Sequence, residues 1–385
     1  MKQQKLRGGM VGGASGSFIG PVHRMAAIMD GQAEYVAGVF SSDPVRSQKT
    51  GQDLFLDSER SYHDYRTMLR SEAARPAAER LDFITIVTLN STHFEIAKAC
   101  LETGFNVFCE KPMCFNLAQA KALRTIVKKT GKVFALAHTY TGYPMVKQAR
   151  HIVKTGVLGK INKVVVEYPQ GWAAGLLHAS AGQISGWRMD PKKAGASCCV
   201  GDIGIHAENL VRYITGLQMD AICAELTRFI PSNRLEDDAN ILVRYKGGAK
   251  GILYASEIST GDENGLNIRI YGDKKGLAWN QEDPNYLVIK DPSGFKTIYS
   301  KGNPQVLCPA AVKAGRLPFG HPDGLIEAFA NLYLEFFKSV RAERAGKKIP
   351  AGDFPSVEDG VIGNAFIETA VRSARSNAKW TRMKT

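Results

Sequence analysis

At 385 residues the chain is longer than one ordinary hydrophobic core organises, so two domains are expected. Its 44% hydrophobic and 23% charged residues exclude a disordered or fibrous protein, and no apolar run approaches the length of a membrane span. The net charge of +13 is scattered in doublets such as Lys128–Lys129 and Lys192–Lys193, which favours an anionic small molecule over nucleic acid as partner.

In chain order, the N-terminus MKQQKLRGGMVGG is basic but no apolar stretch of the secretory kind follows it, so a cytoplasmic location is expected. Leu6 to Val11 reads as a strand, followed by a glycine-rich turn and the helical stretch FIGPVHRMAAIMD. YVAGVF (35–40), FITIVT (83–88), NVFCE (106–110) and KVFALAH (132–138) read as further strands, with helical stretches between them. Strands alternating with helices imply a doubly wound parallel sheet of the Rossmann kind, covered on both faces. Functional groups in such a sheet gather at the carboxyl ends of its strands. After Gly142 the rhythm changes. A helix near Tyr143 to Thr155 leads into KINKVVVEYPQGW, then ICAELTRF, NILVRYK, GILYASEI, LNIRIYG and YLVIKD follow with short turns. This is the pattern of a large, mostly antiparallel open sheet, and two amphipathic helical stretches close the chain. The expected division is residues 1–141, a dinucleotide-binding α/β domain, and residues 142–385, an α+β domain for substrate binding and oligomerisation. The uncovered sheet face predicts a homodimer or homotetramer. Seven cysteines, an odd number without a C-x-x-C pair, argue against a disulfide framework or a zinc ribbon.

The turn VGGASGSFIGPVHR joins the first strand to the first helix. Glycines there allow tight backbone and close approach of a pyrophosphate, and the helix start supplies unpaired N–H groups. Gly12, Gly13, Ala14, Ser15, Gly16, Phe18 and Ile19 are therefore candidate cofactor contacts, with a plain structural turn as the alternative. The strict G-x-G-x-x-G spacing is absent, because from Gly12 its second and third places hold Ala14 and Ser17. After the second strand, VFSSDPVR puts Ser41 and Ser42 where an acidic residue would hold a ribose hydroxyl. With Arg46 nearby they could instead accept a 2′-phosphate, so NAD is expected with NADP left open.

Two further elements stand out. In NVFCEKPMCF a strand ends on Glu110 and Lys111, and proline then stops the chain. In GDIGIHAENL the four-residue spacing of Asp202 and His206 puts both on one helical face, about 5–6 Å apart at Cβ. An acid and an imidazole so placed can move a proton; a helix cap beside a core histidine is the alternative. No third ligand accompanies them, so no metal is expected. His138 and Tyr140 lie at a strand end, Tyr168, Gln170, Trp172 and His178 punctuate a segment suited to a sugar, and His321 precedes a helix. Packing is the alternative for each.

Together, VGGASGSFIG, TLNSTH, EKP, GWRMDPKKAG and GDIGIHAEN resemble the Gfo/Idh/MocA family of sugar and polyol oxidoreductases over essentially the whole chain. The resemblance implies that Lys111 contacts the reacting hydroxyl and the nicotinamide ribose, that His206 is the general acid/base and that Asp202 orients substrate or His206. It implies that Thr88, Asn90 and His93 lie along the cofactor, that Glu110 is near the nicotinamide, and that Trp187 and Arg188 touch cofactor or substrate. Departures are Ala14 and Ser17 for the usual glycines and Ser41 for the usual acid. The implied activity is NAD(P)-dependent oxidation of a secondary ring hydroxyl of a sugar, glycoside, anhydro sugar or inositol to a ketone. The glycine loop with GWRMDPKKAG resembles the glycoside and anhydro-sugar members. An NAD-dependent glycosidase of the same fold and a non-catalytic sugar-responsive binding protein are the alternatives.

Overall fold

The structure, a computed structural model, describes residues 4–178 and 186–385. The chain forms two compact units, Met1–Thr139 with Phe329–Val361, and Tyr140–Ala328 with Ile362–Thr385. The linear division drawn from the sequence thus becomes a discontinuous one, because a C-terminal stretch belongs to the first unit.

In the first unit the elements run β1 (Leu6–Gly12), α1 (Ile19–Ile28), β2 (Ala33–Val39), α2 (Pro44–Asp53), α3 (Tyr65–Ala74), β3 (Phe83–Val87), α4 (His93–Glu102), β4 (Asn106–Cys109), α5 (Leu117–Thr130) and β5 (Phe134–Leu136). Among the described residues the five strands form one parallel sheet in the order β2-β1-β3-β4-β5, the doubly wound arrangement expected. The connection reverses between β1 and β3, where Gly12 lies opposite Val87. Every residue of β3 and β4 is buried, which explains their unbroken apolar runs. On one face Ile84, Ile86, Val107 and Cys109 pack with Ile96, Leu101 and Leu123 of the flanking helices. On the other, Phe83 and Phe108 pack against Tyr333, Phe336 and Phe337. Each buried aromatic ring there contributes roughly 1.5–3 kcal/mol. Helix α3 has no counterpart in the sequence reading; Asp64 starts it by accepting the Thr67 N–H at 2.8 Å.

The second unit continues with α6 (Pro144–Lys154), β6 (Ile161–Pro169), the short α7 (Pro191–Ala194), α8 (Ile205–Thr215), β7 (Met219–Thr227), β8 (Asp238–Tyr245), β9 (Lys250–Ser256), β10 (Asn267–Gly272), β11 (Gly276–Asn280), β12 (Tyr286–Lys290), β13 (Lys296–Ser300) and α9 (Pro309–Ala314). Helices α10 (Leu325–Arg344) and α11 (Val357–Arg375) and strand β14 (Thr381–Arg382) end the chain. Nine strands among the described residues form one sheet, β13-β12-β11-β10-β6-β9-β8-β7-β14, antiparallel except for β6 with β9. Strands β11, β13 and β14 are additions to the sequence reading. Burial alternates along β6 and β8, so one face is core and the other is open. On the open face the register lines up Leu242, Ile252 and Val165, then Arg269, then Ala278, Val288 and Ile298 in one row across seven strands. No disulfide joins the cysteines, and no helix is long and apolar enough to cross a membrane, among the described residues.

Candidate active site

The glycine turn lies at the carboxyl end of β1. Gly12 has φ +87°, and a Cβ there would lie 2.4 Å from the Val87 carbonyl oxygen. At Gly13, φ is +75° and a Cβ would come within 2.9 Å of the Gly20 Cα. Both positions therefore admit only glycine without backbone movement. Ala14, where the usual pattern has glycine, is buried with Met10, Phe40 and Val87, so its methyl closes a small core. Arg46 donates to the Ser15 carbonyl at 2.9 Å, and Thr50 accepts from the Ser15 N–H at 3.2 Å, so α2 holds the turn. Asp43 starts α2, accepting from Val45 N–H at 2.9 Å. Ser41 is half-buried, and Ser42 and Phe18 are exposed. Helix α1 begins without a side-chain cap and without an acidic residue in its first turn. The Ser17 hydroxyl is enclosed and has no hydrogen-bond partner among the described residues. Uncapped N–H groups, a positive dipole end, an unpartnered hydroxyl and a glycine wall fit the pyrophosphate of a dinucleotide.

At the end of β3, Thr88 leads into a 3₁₀ turn, Asn90–Thr92. His93 is fully buried, with its Nδ1 2.9 Å from the Pro112 carbonyl and its Nε2 3.1 Å from the Thr88 carbonyl. It therefore ties the β3 and β4 ends together. Burial holds it below the usual histidine pKa. At the end of β4, Glu110 is buried; Oε1 lies 3.0 Å from His23 Nε2, and Oε2 accepts the Lys111 N–H at 2.9 Å. Burial opposes its ionisation, but the His23 hydrogen bond and the Lys111 charge prevail, and its pKa falls below the carboxylate norm. Lys111 is half-buried and His138, after β5, is buried in the same unit.

In the second unit the D-x-x-x-H spacing predicts a regular helix through Asp202 and His206. The structure instead opens a π turn at Val200–Gly204, and α8 starts only at Ile205. Such turns aim side chains away from the regular helical pattern. Arg188 Nε donates to Asp202 Oδ2 at 2.8 Å. The Trp187 side chain packs beside Ala173, Met189 and Cys198. His206 is buried, its ring edge-on to Tyr140 at 5.0 Å and tilted against Tyr168 at 6.4 Å. The Tyr140 and Tyr168 hydroxyls share a hydrogen bond, and Tyr168 donates to Asn264 Oδ1 at 2.8 Å. Gln170 donates to the same oxygen at 2.6 Å. Tyr140, Tyr168, Asp202, Arg188 and His206 thus form two adjoining polar groups around the start of α8. Trp172, His178 and His321 are exposed; none of their side chains is drawn into these groups, and the His321 carbonyl accepts from Lys301.

Three groups here escaped the sequence reading. Asn264 precedes β10 and reaches Tyr168 only through the β6–β10 register. Glu257, at the end of β9, has no exposed surface; its Oε2 accepts from the Cys198 thiol at 3.1 Å, and Oε1 has no partner among the described residues. Burial first, and then the Asp202 charge, push its pKa up to about 8. Glu236, also buried, accepts hydrogen bonds from Ser197 and from the Val200 N–H, the latter at 3.2 Å.

The β1–α1 cradle defines a dinucleotide-binding protein of the Rossmann class. The sequence matches the family description "Oxidoreductase family, NAD-binding Rossmann fold" over residues 6–138 and "GFO/IDH/MocA C-terminal domain" over residues 146–278. YfiI of Bacillus subtilis, named as an uncharacterized oxidoreductase, is 33% identical over 98% of this chain and 97% of its own. Levoglucosan dehydrogenase of Pseudarthrobacter phenanthrenivorans is 27% identical over 76% of this chain and 78% of its own. An inositol dehydrogenase homolog from Azotobacter vinelandii, solved with NAD+, matches with a TM-score of 0.93 at 35% identity over 98% of this chain and 97% of that one. Its structure with NADH and myo-inositol matches at 0.90 and 34%, over 98% of each chain. The chain belongs to the Gfo/Idh/MocA oxidoreductase family. It is an NAD(P)-dependent oxidoreductase, and residues 6–138 are its NAD-binding Rossmann region.

Proposed function

We propose that the protein oxidises a secondary ring hydroxyl of a sugar, glycoside, anhydro sugar or inositol to a ketone, with NAD as the usual partner. The observation that supports this most is the full-length similarity to an inositol dehydrogenase homolog held with NADH and myo-inositol. The relation to levoglucosan dehydrogenase supports the same chemistry on an anhydro sugar. When bound, the nicotinamide supplies a hydride acceptor. In this reading the Lys111 ammonium lowers the cost of negative charge on the carbinol oxygen as the carbonyl forms. His206 removes the carbinol proton, and the Tyr140 and Tyr168 rings around it keep water from competing for it. Asp202, oriented by Arg188, holds a neighbouring hydroxyl. Gly12, Gly13, Ser17 and the start of α1 seat the pyrophosphate. With Asp43 engaged as a helix start and Arg46 on the Ser15 carbonyl, no side chain at the end of β2 is dedicated to a 2′-phosphate, which favours NAD over NADP.

The test is purified protein with NAD and separately NADP against inositols, pyranosides and anhydro sugars, following reduced nucleotide. Reduction of NAD by at least one cyclic polyol is expected. Release of aglycone without net NADH would assign a glycosidase, and saturable binding without turnover a binding protein. We also propose that a second copy of the chain covers the open sheet face, because the Leu242-to-Ile298 row is apolar at every position but Arg269, whose charge is paired with Glu167 at 2.7 Å, and meets a symmetry mate as itself.

A further inference from the structure

His23 has no place in the roles assigned so far. It lies in α1, one turn past the glycine cradle, and is completely buried. Aromatic rings enclose it: Phe108 at 5.6 Å, Phe329 at 4.7 Å and Tyr333 at 5.9 Å, all edge-on. Both its nitrogens are engaged. Nδ1 is 2.8 Å from the Tyr333 hydroxyl, and Nε2 is 3.0 Å from Glu110 Oε1. An ionised carboxylate only accepts, so Nε2 carries the proton of that bond. The Tyr333 hydroxyl is in turn 3.2 Å from Thr85 Oγ1, which is 2.7 Å from the Tyr35 hydroxyl. The result is a hydrogen-bonded chain of Tyr35, Thr85, Tyr333 and His23, ending on one oxygen of Glu110. The other oxygen of Glu110 receives the Lys111 N–H at 2.9 Å.

We propose that His23 is a positioning residue for Lys111: by clamping one oxygen of Glu110 it fixes the other against the Lys111 amide, and so aims the lysine side chain. The proposal rests on the reading of Lys111 under Proposed function. The geometry carries it in three ways. A buried carboxylate with a single anchored oxygen would rotate about its last torsion, whereas two opposed bonds fix its plane. Tyr333 and the aromatic walls leave the imidazole one orientation, so the clamp is rigid. And α1 is the helix whose first turn forms the pyrophosphate seat, so one rigid element carries both that seat and the clamp on the β4 end.

The test uses three full-length variants. His23→Gln retains an amide N–H at the Nε2 position and so retains the bond to Glu110. His23→Asn places its amide only at the Nδ1 position, towards Tyr333. His23→Leu retains neither. Two readouts are taken: hydrogen exchange at the Lys111 amide, resolved by fragmentation mass spectrometry, and kcat with the best cyclic polyol. NADH affinity serves as the check that each variant is folded. The expected result is exchange and kcat within about threefold of wild type for Gln. For Asn and Leu, exchange at least tenfold faster and kcat at least tenfold lower are expected, with KM for the polyol and NADH Kd within about threefold. Equal exchange and equal kcat in Gln and Asn would overturn the proposal, as would a kcat loss matched by loss of NADH affinity. If wild type turned over no polyol, the functional reading would fall, while exchange at Lys111 would still decide whether His23 holds this turn.

Discussion

Glutamine in place of Glu257 tests the electrostatics of the second unit directly. The wild-type carboxyl has no exposed surface, and burial, followed by the Asp202 charge, raises its pKa from 4.5 to about 8. The unfolded chain ionises this group above about pH 4.5, while the folded chain keeps it protonated until about pH 8. Between those limits the folded state holds one more proton, so stability is fully present below the lower limit and falls as pH rises. The slope approaches about 1.4 kcal/mol per pH unit, and from pH 5 to pH 7.5 the loss sums to about 3 kcal/mol. In the Glu257→Gln variant the amide oxygen can keep the Cys198 bond, the group no longer titrates, and the slope from this site disappears. All four tryptophans, Trp172, Trp187, Trp279 and Trp380, lie in the second unit, so urea unfolding followed by their fluorescence reports that unit. The difference in unfolding free energy, variant minus wild type, is expected to rise by about 3 kcal/mol across the window. It should level off below about pH 4 and above about pH 9. The absolute offset includes a pH-independent cost for the new amide N–H at the unpartnered Oε1 position, so the slope is the measurement. A difference that stays flat from pH 5 to 7.5 would refute a raised Glu257.

Three other substitutions probe separate parts of the molecule. Gly12→Ala forces a Cβ to within 2.4 Å of the Val87 carbonyl oxygen, so NADH affinity should fall at least about tenfold with the far-ultraviolet circular dichroism unchanged; affinity within twofold of wild type removes Gly12 from the cradle. Lys111→Met deletes the charge proposed to stabilise the alkoxide and should lower kcat/KM by about 10²–10³-fold with NADH Kd little changed, as measured by fluorescence titration. A variant of normal kcat would place that charge elsewhere. Ile252→Glu sets a charge between Leu242 and Val165 in the open-face row, and light scattering should then give the monomer mass where wild type gives a multiple of it. An unchanged multiple would show that the copies associate through another surface.

Much of the architecture could be read from residue order alone. The alternation of apolar runs with helical periods from Leu6 to His138 specifies a parallel sheet, because strands buried on both faces need apolar residues at every position. The glycines of the turn are legible for a local reason, the positive φ at Gly12 and Gly13, whereas the Val87 carbonyl that also excludes a Cβ at Gly12 is a tertiary contact. The nearness of Glu110 to Lys111 is a matter of adjacency along one segment. What the sequence could not supply is everything set by long-range register. The Phe329–Val361 stretch joins the first unit, and nothing in its helical period says which core its apolar face will meet. Strands β11 and β13 are short and weakly patterned, and they become strands because a neighbouring edge offers hydrogen-bond partners. The π turn at Asp202, the Tyr168–Asn264 bond and the His23–Glu110 clamp likewise depend on groups far apart in the chain, 87 residues apart in the last case. Local periodicity determines which face of a segment is buried. Only the tertiary structure decides which polar groups share that buried space: burial and the Asp202 charge raise the pKa of Glu257, whereas at Glu110 the His23 hydrogen bond and the Lys111 charge outweigh burial and lower it.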